Sequence, residues 1–410
     1  MSNLSETPPI QNLECVLREF LGSQLKIESM QWKHLVDPGE NFGSLILALN
    51  LNVKENGKSE NLNLIAKLPP KSEYLVDLFN SPMSFYKEIY FYKIIAPELI
   101  KFQIENGMKK SELIKLVPQF FGGRLGVKDG EKFDDQATIV LENLKVQGYD
   151  TEDRITGMDK EHMIFAIKQL ARLHAIPICY KIKKPKAFKE LIMPGLASIF
   201  NEATIRCVED MINKAVNTLE TMKEAQPYME KVTKTIEYGA SKIEEEPEEP
   251  WATLVHSDFW VNNMLFRHDK SGKIIDMKMV DLQLTQYENG CRDLIFLIMS
   301  SAKLKVIDES LDEMIDSYYS SFVDCFRTFD VDVKDFSREQ FDKNLIESAR
   351  RKLDQCLMMV QVIQATRGSA RRVNDIKNKD NFLDMGRSKE NDEKLIHIVE
   401  TYARKGWLVG

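Results

Sequence analysis

The stretch "HSDFWVNN", His256 to Asn263, sets an aspartate, Asp258, five positions ahead of an asparagine, Asn263, and Asp281 follows at the end of the apolar run "MKMV". Asp258 can act as a base, Asn263 offers a neutral oxygen and Asp281 a carboxylate. Such hard oxygen donors at the ends of neighbouring strands suit magnesium on phosphate, which keeps several waters and takes few ligands from the protein. No His, Cys or Glu cluster at ligand spacing competes for a softer metal. Phosphoryl transfer needs a phosphate cradle, a cation and a positioned hydroxyl more than a nucleophilic side chain, and candidates for the cradle and cation lie upstream. "PGENFGS", residues 38–44, is a turn entering a strand, where Gly39 and Gly43 let backbone N–H groups approach phosphate oxygens; taken alone it also fits an ordinary hairpin turn. Lys67 in "NLIAKLPP" is the single cation of an apolar strand and needs a partner or a solvent-facing side. Glu88, in the helical stretch "FYKEIYFYKII", is a candidate partner that would hold the lysine against phosphates. An edge-strand lysine and an exposed helix glutamate are the plain alternative.

Together these segments resemble a known family. "HSDFWVNN" fits the HxDxxxxN pattern of the aminoglycoside and choline kinase superfamily. With "GENFGS", "LIAKLPP", "FYKEIYFYKIIAPEL", "LENL", "LARLHA" and "VDLQL" in that order, the chain looks like the ecdysteroid kinase-like family over about residues 35 to 305. The resemblance implies an α+β, bilobal protein-kinase-like fold. Its small N-terminal nucleotide-binding lobe, with an antiparallel sheet, would be residues 1–144, ending at a hinge; a larger, mainly helical catalytic and acceptor-binding lobe would be 145–410, with a helical insertion around 183–250. The implied cofactors are ATP and Mg2+. Asp258 would be the catalytic base, Asn263 and Asp281 would hold magnesium, and Lys67 with Glu88 would orient the phosphates. The segment 141–144, with Glu142 and Leu144, would be the hinge that receives adenine, and Gly39, Asn41, Gly43 and Ser44 would cover the phosphates. The implied reaction moves the γ-phosphoryl group of ATP to the hydroxyl of a small molecule, an ecdysteroid or another hydrophobic alcohol.

Two departures bear on that resemblance: Ser257 stands where the wider superfamily commonly has glycine, and Trp260 where it often has a second histidine. They weaken kinship with antibiotic and choline kinases. A nucleotide-binding pseudokinase or scaffold is an alternative, against which the intact Asp258, Asn263, Asp281 and Lys67 count; a kinase of a choline-like or aminoglycoside-like cationic alcohol is another. No HRD or DFG occurs, and the short span from Asp281 to Asp293 leaves little room for an activation segment, which favours a small acceptor over a protein. His256 reads as a hydrogen-bonding support for its loop, Asn262 as a turn residue, and Asp293, at the start of "DLIFLIMSS", as a cap or loop anchor.

The elements that must position these residues follow from periodicity. A helix is predicted over 13–28, from Leu13, Val16, Leu17, Phe20 and Leu21. Strands are predicted over 44–53 and 61–68, joined by "KENGKSE", whose Asn-Gly signals a hairpin. A helix from Tyr86 to Leu99 and a return to strands and turns at "FFGGRLG" make the first part α+β. Beyond "LENLKVQGYD" nearly everything reads as helix. The stretch 159–175 carries Met163, Ile164, Ile167, Leu170, Ala171 and His174 on one stripe, with His174 expected to be a satisfied buried residue. Residues 183–250 read as helical, ending in the acidic run 244–249, expected to be a mobile linker. The stretch 274–302 reads as strand, turn and helix, and the chain from 308 onward as helical, interrupted by the polar stretch 366–392. The apolar "CLMMVQVI", Cys356 to Ile363, fits either a bulky acceptor or plain core.

Composition bounds the rest. A length of 410 residues is enough for two lobes, and 43% hydrophobic with 29% charged residues is that of a globular chain. A net charge of -7 counts against nucleic acid as a partner. No apolar run is long enough for a membrane span, and the start shows no secretory signal. The six cysteines are scattered without CxxC pairs and read as free thiols in a reducing cytosol, so a cytoplasmic location is expected. Oligomeric state has no signature in the sequence.

Overall fold

Helix α1 (Leu13–Leu21) ends at Gly22, whose φ of 119° is open to glycine and to little else. The predicted helix over 13–28 is therefore too long. The chain turns instead into an edge strand, β1 (Lys26–His34), which pairs antiparallel with β2 (Leu45–Glu55). An edge strand keeps few apolar residues on its inner side, and here Ile27, Met30 and Trp32 are diluted by charges. The computed structural model that defines these elements describes residues 10–35, 43–128, 132–365, 376, 378 and 387–410.

Strand β2 turns at Asn56 and Gly57, both at positive φ (49° and 81°), into β3 (Lys58–Leu68), as the Asn-Gly pair predicts. With β4 (Phe120–Arg124) and β5 (Thr138–Glu142) they form a five-stranded antiparallel sheet in the order β1-β2-β3-β5-β4. Alternation along the strands gives the sheet two different faces. Leu47, Leu49, Leu51 and Val53 of β2 pack with Leu62, Leu64, Ala66 and Leu68 of β3 and with α1 in one core. Lys67 has the opposite parity, pairs in register with Ile46 and Ile139, and so points to the face that meets the helices. There α2 (Glu73–Leu78), capped by Ser72, leads into α3 (Ser81–Tyr90), which passes through a π-turn at Phe91–Ile95 into α4 (Ala96–Glu105).

The larger part of the chain is mainly helical. After the two-residue strand β6 (Tyr149–Asp150) comes α5 (Lys160–Lys183), capped by Asp159 and buried along Met163, Ile167, Leu170 and His174. A single turn, α6 (Pro185–Ala187), precedes α7 (Glu202–Glu220) and α8 (Met229–Ser241). The acidic run that follows is fastened rather than mobile at its far end: Glu249 takes a hydrogen bond from the Tyr287 hydroxyl and pairs with Lys181, which also donates to the Ala252 carbonyl at 2.7 Å. A partly buried ammonium on α5 holds it. Short strands lie among these helices, as expected beside Asn263 and Asp281 but not at the remaining positions. β7 (Ala252–Val255) pairs with β10 (Gln286–Asn289), and β8 (Met264–His268) lies between β6 and β9 (Ile274–Met279). β7 and β10 have four residues each, too short for period-2 alternation to register. Helices α9 (Cys291–Ser301), α10 (Leu304–Thr328), α11 (Arg338–Arg350), α12 (Leu353–Ile363) and α13 (Lys389–Arg404) complete the chain. The Met-rich α12 is plain core, with Cys356, Leu357, Val360 and Ile363 fully buried. No described helix is long and apolar enough to cross a membrane, and all six cysteines are free.

Candidate active site

The antiparallel hairpin of β8 and β9 brings Asn263 and Asp281 to adjacent strand ends: Met264 pairs with Met279, and the Val280 N–H donates to the Asn263 carbonyl at 3.1 Å. The loop from β7 to β8 then carries Asp258 beside them. Asn263 Nδ2 donates to the Asp258 carbonyl at 2.8 Å and to its carboxylate at 3.1 Å. With its NH2 committed, the amide presents Oδ1 as its ligand atom.

Three anchors fix this loop. Asp293, in the first turn of α9, accepts the His256 N–H at 2.6 Å and the Ser257 N–H at 3.0 Å. Gln355 of α12 donates to the Ser257 carbonyl at 2.9 Å. Ser301 accepts the Val261 N–H at 3.0 Å. His256 is buried, which lowers its pKa and keeps it neutral, and its Nε2–H donates to the Val280 carbonyl at 3.0 Å. It acts as a strut between the two loops. His174 is satisfied too: Nε2–H donates to Asp293 at 3.3 Å and Nδ1 accepts the Tyr318 hydroxyl at 2.7 Å. Burial alone would raise the Asp293 pKa, but the hydrogen bonds from His174 and from the His256 N–H help hold it below the ordinary carboxylate value. Asp293 is a loop anchor.

Lys67 reaches this cluster from the sheet. Its Nζ lies 2.6 Å from Glu88 Oε2 on α3, 2.6 Å from Asp281 Oδ1 and 3.4 Å from Gln283 Oε1. Burial would lower its pKa, yet Asp281 and Glu88 raise it far above the ordinary lysine value, so the ammonium is permanent. Asp258 goes the other way: burial and the charge of Asp281 push it up to about 7, against opposing hydrogen bonds from Asn263 and the Trp260 side chain. An acid poised near neutrality suits proton transfer.

Of the expected phosphate-covering residues, Gly43 lies against Gln283, where a Cβ would stand 3.5 Å from Nε2. Ser44 is buried, while Gly39 and Asn41 lie outside the described residues. At the expected hinge, the Glu142 carboxylate accepts the Gln119 N–H at 2.7 Å, and Leu144 packs with Tyr149 and Leu265. Three contributors were not singled out from the sequence, although Gln283 lies within "VDLQL" and Lys87 within "FYKEIYFYKIIAPEL"; Gln355 lies in no such stretch. Gln283 binds Lys67, and Gln355 holds the Ser257 carbonyl. Lys87, buried next to Glu88, donates to the carbonyls of Ala197 and Thr285 at 2.6 Å each.

The oxygen donors Asn263 Oδ1 and the second oxygen of Asp281 fit a hard divalent cation. A strand lysine held by a helix glutamate and a loop aspartate, at the junction of an antiparallel sheet and a helical part, defines the class: a small-molecule kinase of protein-kinase-like fold. A model of the ecdysteroid kinase-like family matches residues 38–331, and the chain belongs to that family. No curated protein matches it in sequence. Among solved structures it is similar to a spectinomycin phosphotransferase in complex with ADP and spectinomycin, with 13% identity, TM-score 0.46 and coverage of 98% of this chain and 100% of that one. Others are the ethanolamine kinase of Plasmodium vivax (8%, TM-score 0.44, 95% and 87%) and a choline/ethanolamine kinase family protein from Mesorhizobium loti (11%, TM-score 0.37, 90% and 92%).

Proposed function

We propose that the protein transfers the γ-phosphoryl group of ATP, with Mg2+, to the hydroxyl of a hydrophobic alcohol of the ecdysteroid kind. The observation that carries this reading is Lys67 clasped between Glu88 and Asp281 at 2.6 Å each, with Asp258 and Asn263 alongside. The nucleotide would lie on the side of residues 1–144, with Gly39, Asn41, Gly43 and Ser44 over its phosphates and its adenine at Glu142 and Leu144. The acceptor would lie against residues 145–410. Lys67, kept charged and aimed by Glu88, neutralises phosphate oxygens as negative charge spreads in the transition state. Asp258 orients the acceptor hydroxyl and takes its proton. Asn263 and Asp281 would hold Mg2+, which when bound neutralises the phosphate charge. The family supports a steroid-like acceptor, and the spectinomycin phosphotransferase, solved with ADP, is a neighbour that binds a nucleotide.

The test is a thermal-shift titration with ATP and Mg2+, then mass spectrometry of steroid, amino-alcohol and sugar acceptors. Addition of one phosphoryl group to a steroid alcohol is expected, with Asp258→Asn slowing turnover by about 10²–10⁴-fold while still binding ATP. Transfer only to amino alcohols or sugars would overturn the acceptor class. A folded protein that binds no nucleotide would overturn the kinase mechanism itself.

A further inference from the structure

A second cluster of donor atoms lies at the other end of β8 from Asn263. His268 closes that strand, His162 sits in the first turn of α5, and Glu152 belongs to the loop between β6 and α5. His162 Nε2 is 3.0 Å from His268 Nε2 and 3.2 Å from Glu152 Oε1, and the three atoms lie within 4.8 Å of one another. The side chain of His162 is only 14% exposed and packs edge-on against Phe266. Its other nitrogen, Nδ1, lies 2.8 Å from Asp159 Oδ1, and the same oxygen accepts the His162 N–H at 3.0 Å. The ring is thus oriented from behind by a carboxylate, as metal-ligating histidines usually are.

That second contact decides the chemistry. With Nδ1–H donated to Asp159, a neutral His162 turns the bare lone pair of Nε2 toward a carboxylate oxygen and a second imidazole nitrogen. Lone pair facing carboxylate is repulsive, so a positive species belongs between them. A proton satisfies one direction well. A metal ion satisfies all three at once.

We infer that Glu152, His162 and His268 form a binding site for a borderline divalent transition-metal ion of the zinc type, separate from the kinase centre. Two imidazoles on tetrahedral zinc, at bond lengths of about 2.0–2.1 Å, stand about 3.3 Å apart, within a few tenths of the separation present here. Two nitrogens and one carboxylate favour zinc over magnesium or calcium, which select oxygen. Three protein ligands leave a fourth position, on the exposed side of His268, for water. A bound ion would tie the loop before α5 and the start of α5 to β8, which lies 106 positions further along the chain.

The test uses the full chain, stripped with a chelator and kept in excess Mg2+ to occupy oxygen sites. Zinc is titrated by calorimetry and Co2+ by its visible absorption. One equivalent is expected to bind at about 1 µM or tighter, with a tetrahedral Co2+ spectrum and a raised Tm. His268→Ala, at an exposed position that should not impair folding, and the isosteric Glu152→Gln should each weaken binding about tenfold or more. Asp281→Asn should leave it unchanged. Absence of micromolar binding would mean that the cluster holds only a proton, and binding undiminished in both His268→Ala and Glu152→Gln would place the ion elsewhere; either result overturns the assignment.

Discussion

Asp258 and Ser257 show how individual positions near the site set stability against chemistry. Ser257 has φ 67°, the left-handed region where glycine is at ease and a β-carbon costs about 1 kcal/mol. The turn at Ser257 is of the kind that glycine makes without cost. It lets consecutive N–H groups of His256 and Ser257 converge on Asp293. Asp258 carries a different strain, because its carboxyl is pushed up to about 7 from an unfolded value near 3.9. The folded state therefore binds the proton more tightly than the unfolded state. The resulting stabilisation is complete below about pH 4 and is lost as pH rises through about 7. Asn at this position never ionises, so Asp258→Asn should be more stable than the parent by about 4 kcal/mol at pH 8, by about 1–2 kcal/mol at pH 5, and little different only below about pH 4. Urea melts at the two pH values in EDTA measure this. A variant less stable at pH 8 would show that the ionised carboxylate is favourable.

At the scale of elements, the loop between β7 and β8 is held by groups from α9 and α12 as well as by its own hydrogen bonds, such as that from Asn263 to the Asp258 carbonyl. Asp293 is the busiest of these, taking two backbone N–H groups and His174 while wholly buried. Asp293→Asn keeps the shape but can turn an NH2 toward a backbone donor. Leaving one buried donor unsatisfied costs about 1–3 kcal/mol. Hydrogen exchange should therefore quicken at residues 256–263 and stay unchanged in the β2–β3 hairpin. Uniform quickening would mean global destabilisation, and none at all would show that the anchor is dispensable. The hairpin of β2 and β3 was legible because Asn56 and Gly57 name their turn. The edge strand β1 was not, because its partner rather than its pattern makes it a strand.

Across the whole molecule, Lys67 is the tie between sheet and helical part, joining β3 to α3 and to the segment after β9. Removing its charge strands two carboxylates next to each other, one of them deeply buried. Breaking one side of a buried ion pair is costly, and Lys67→Met should lower stability by about 3 kcal/mol. Adding Glu88→Gln relieves the repulsion, so the double variant should be more stable than Lys67→Met alone. Denaturant titration of the three proteins checks this. If the double variant is the least stable, the two carboxylates do not repel in the folded state.

The sequence by itself determined the local units and the kinds of chemistry on offer: a hairpin from Asn-Gly, long helices from apolar stripes, and Asp258, Asn263 and Asp281 in an order suited to a cation on phosphate. Such features rest on near neighbours, whose spacing is written in the chain. Only the tertiary structure decided which distant groups meet. Lys67 and Asp281 are 214 positions apart, Gln355 reaches Ser257 across 98, and His162 meets His268 across 106. Contacts of that range are set by how sheets and helices pack to bury their apolar faces. No local spacing encodes them, and for that reason the histidine and glutamate cluster had no trace in the sequence while the aspartate loop did.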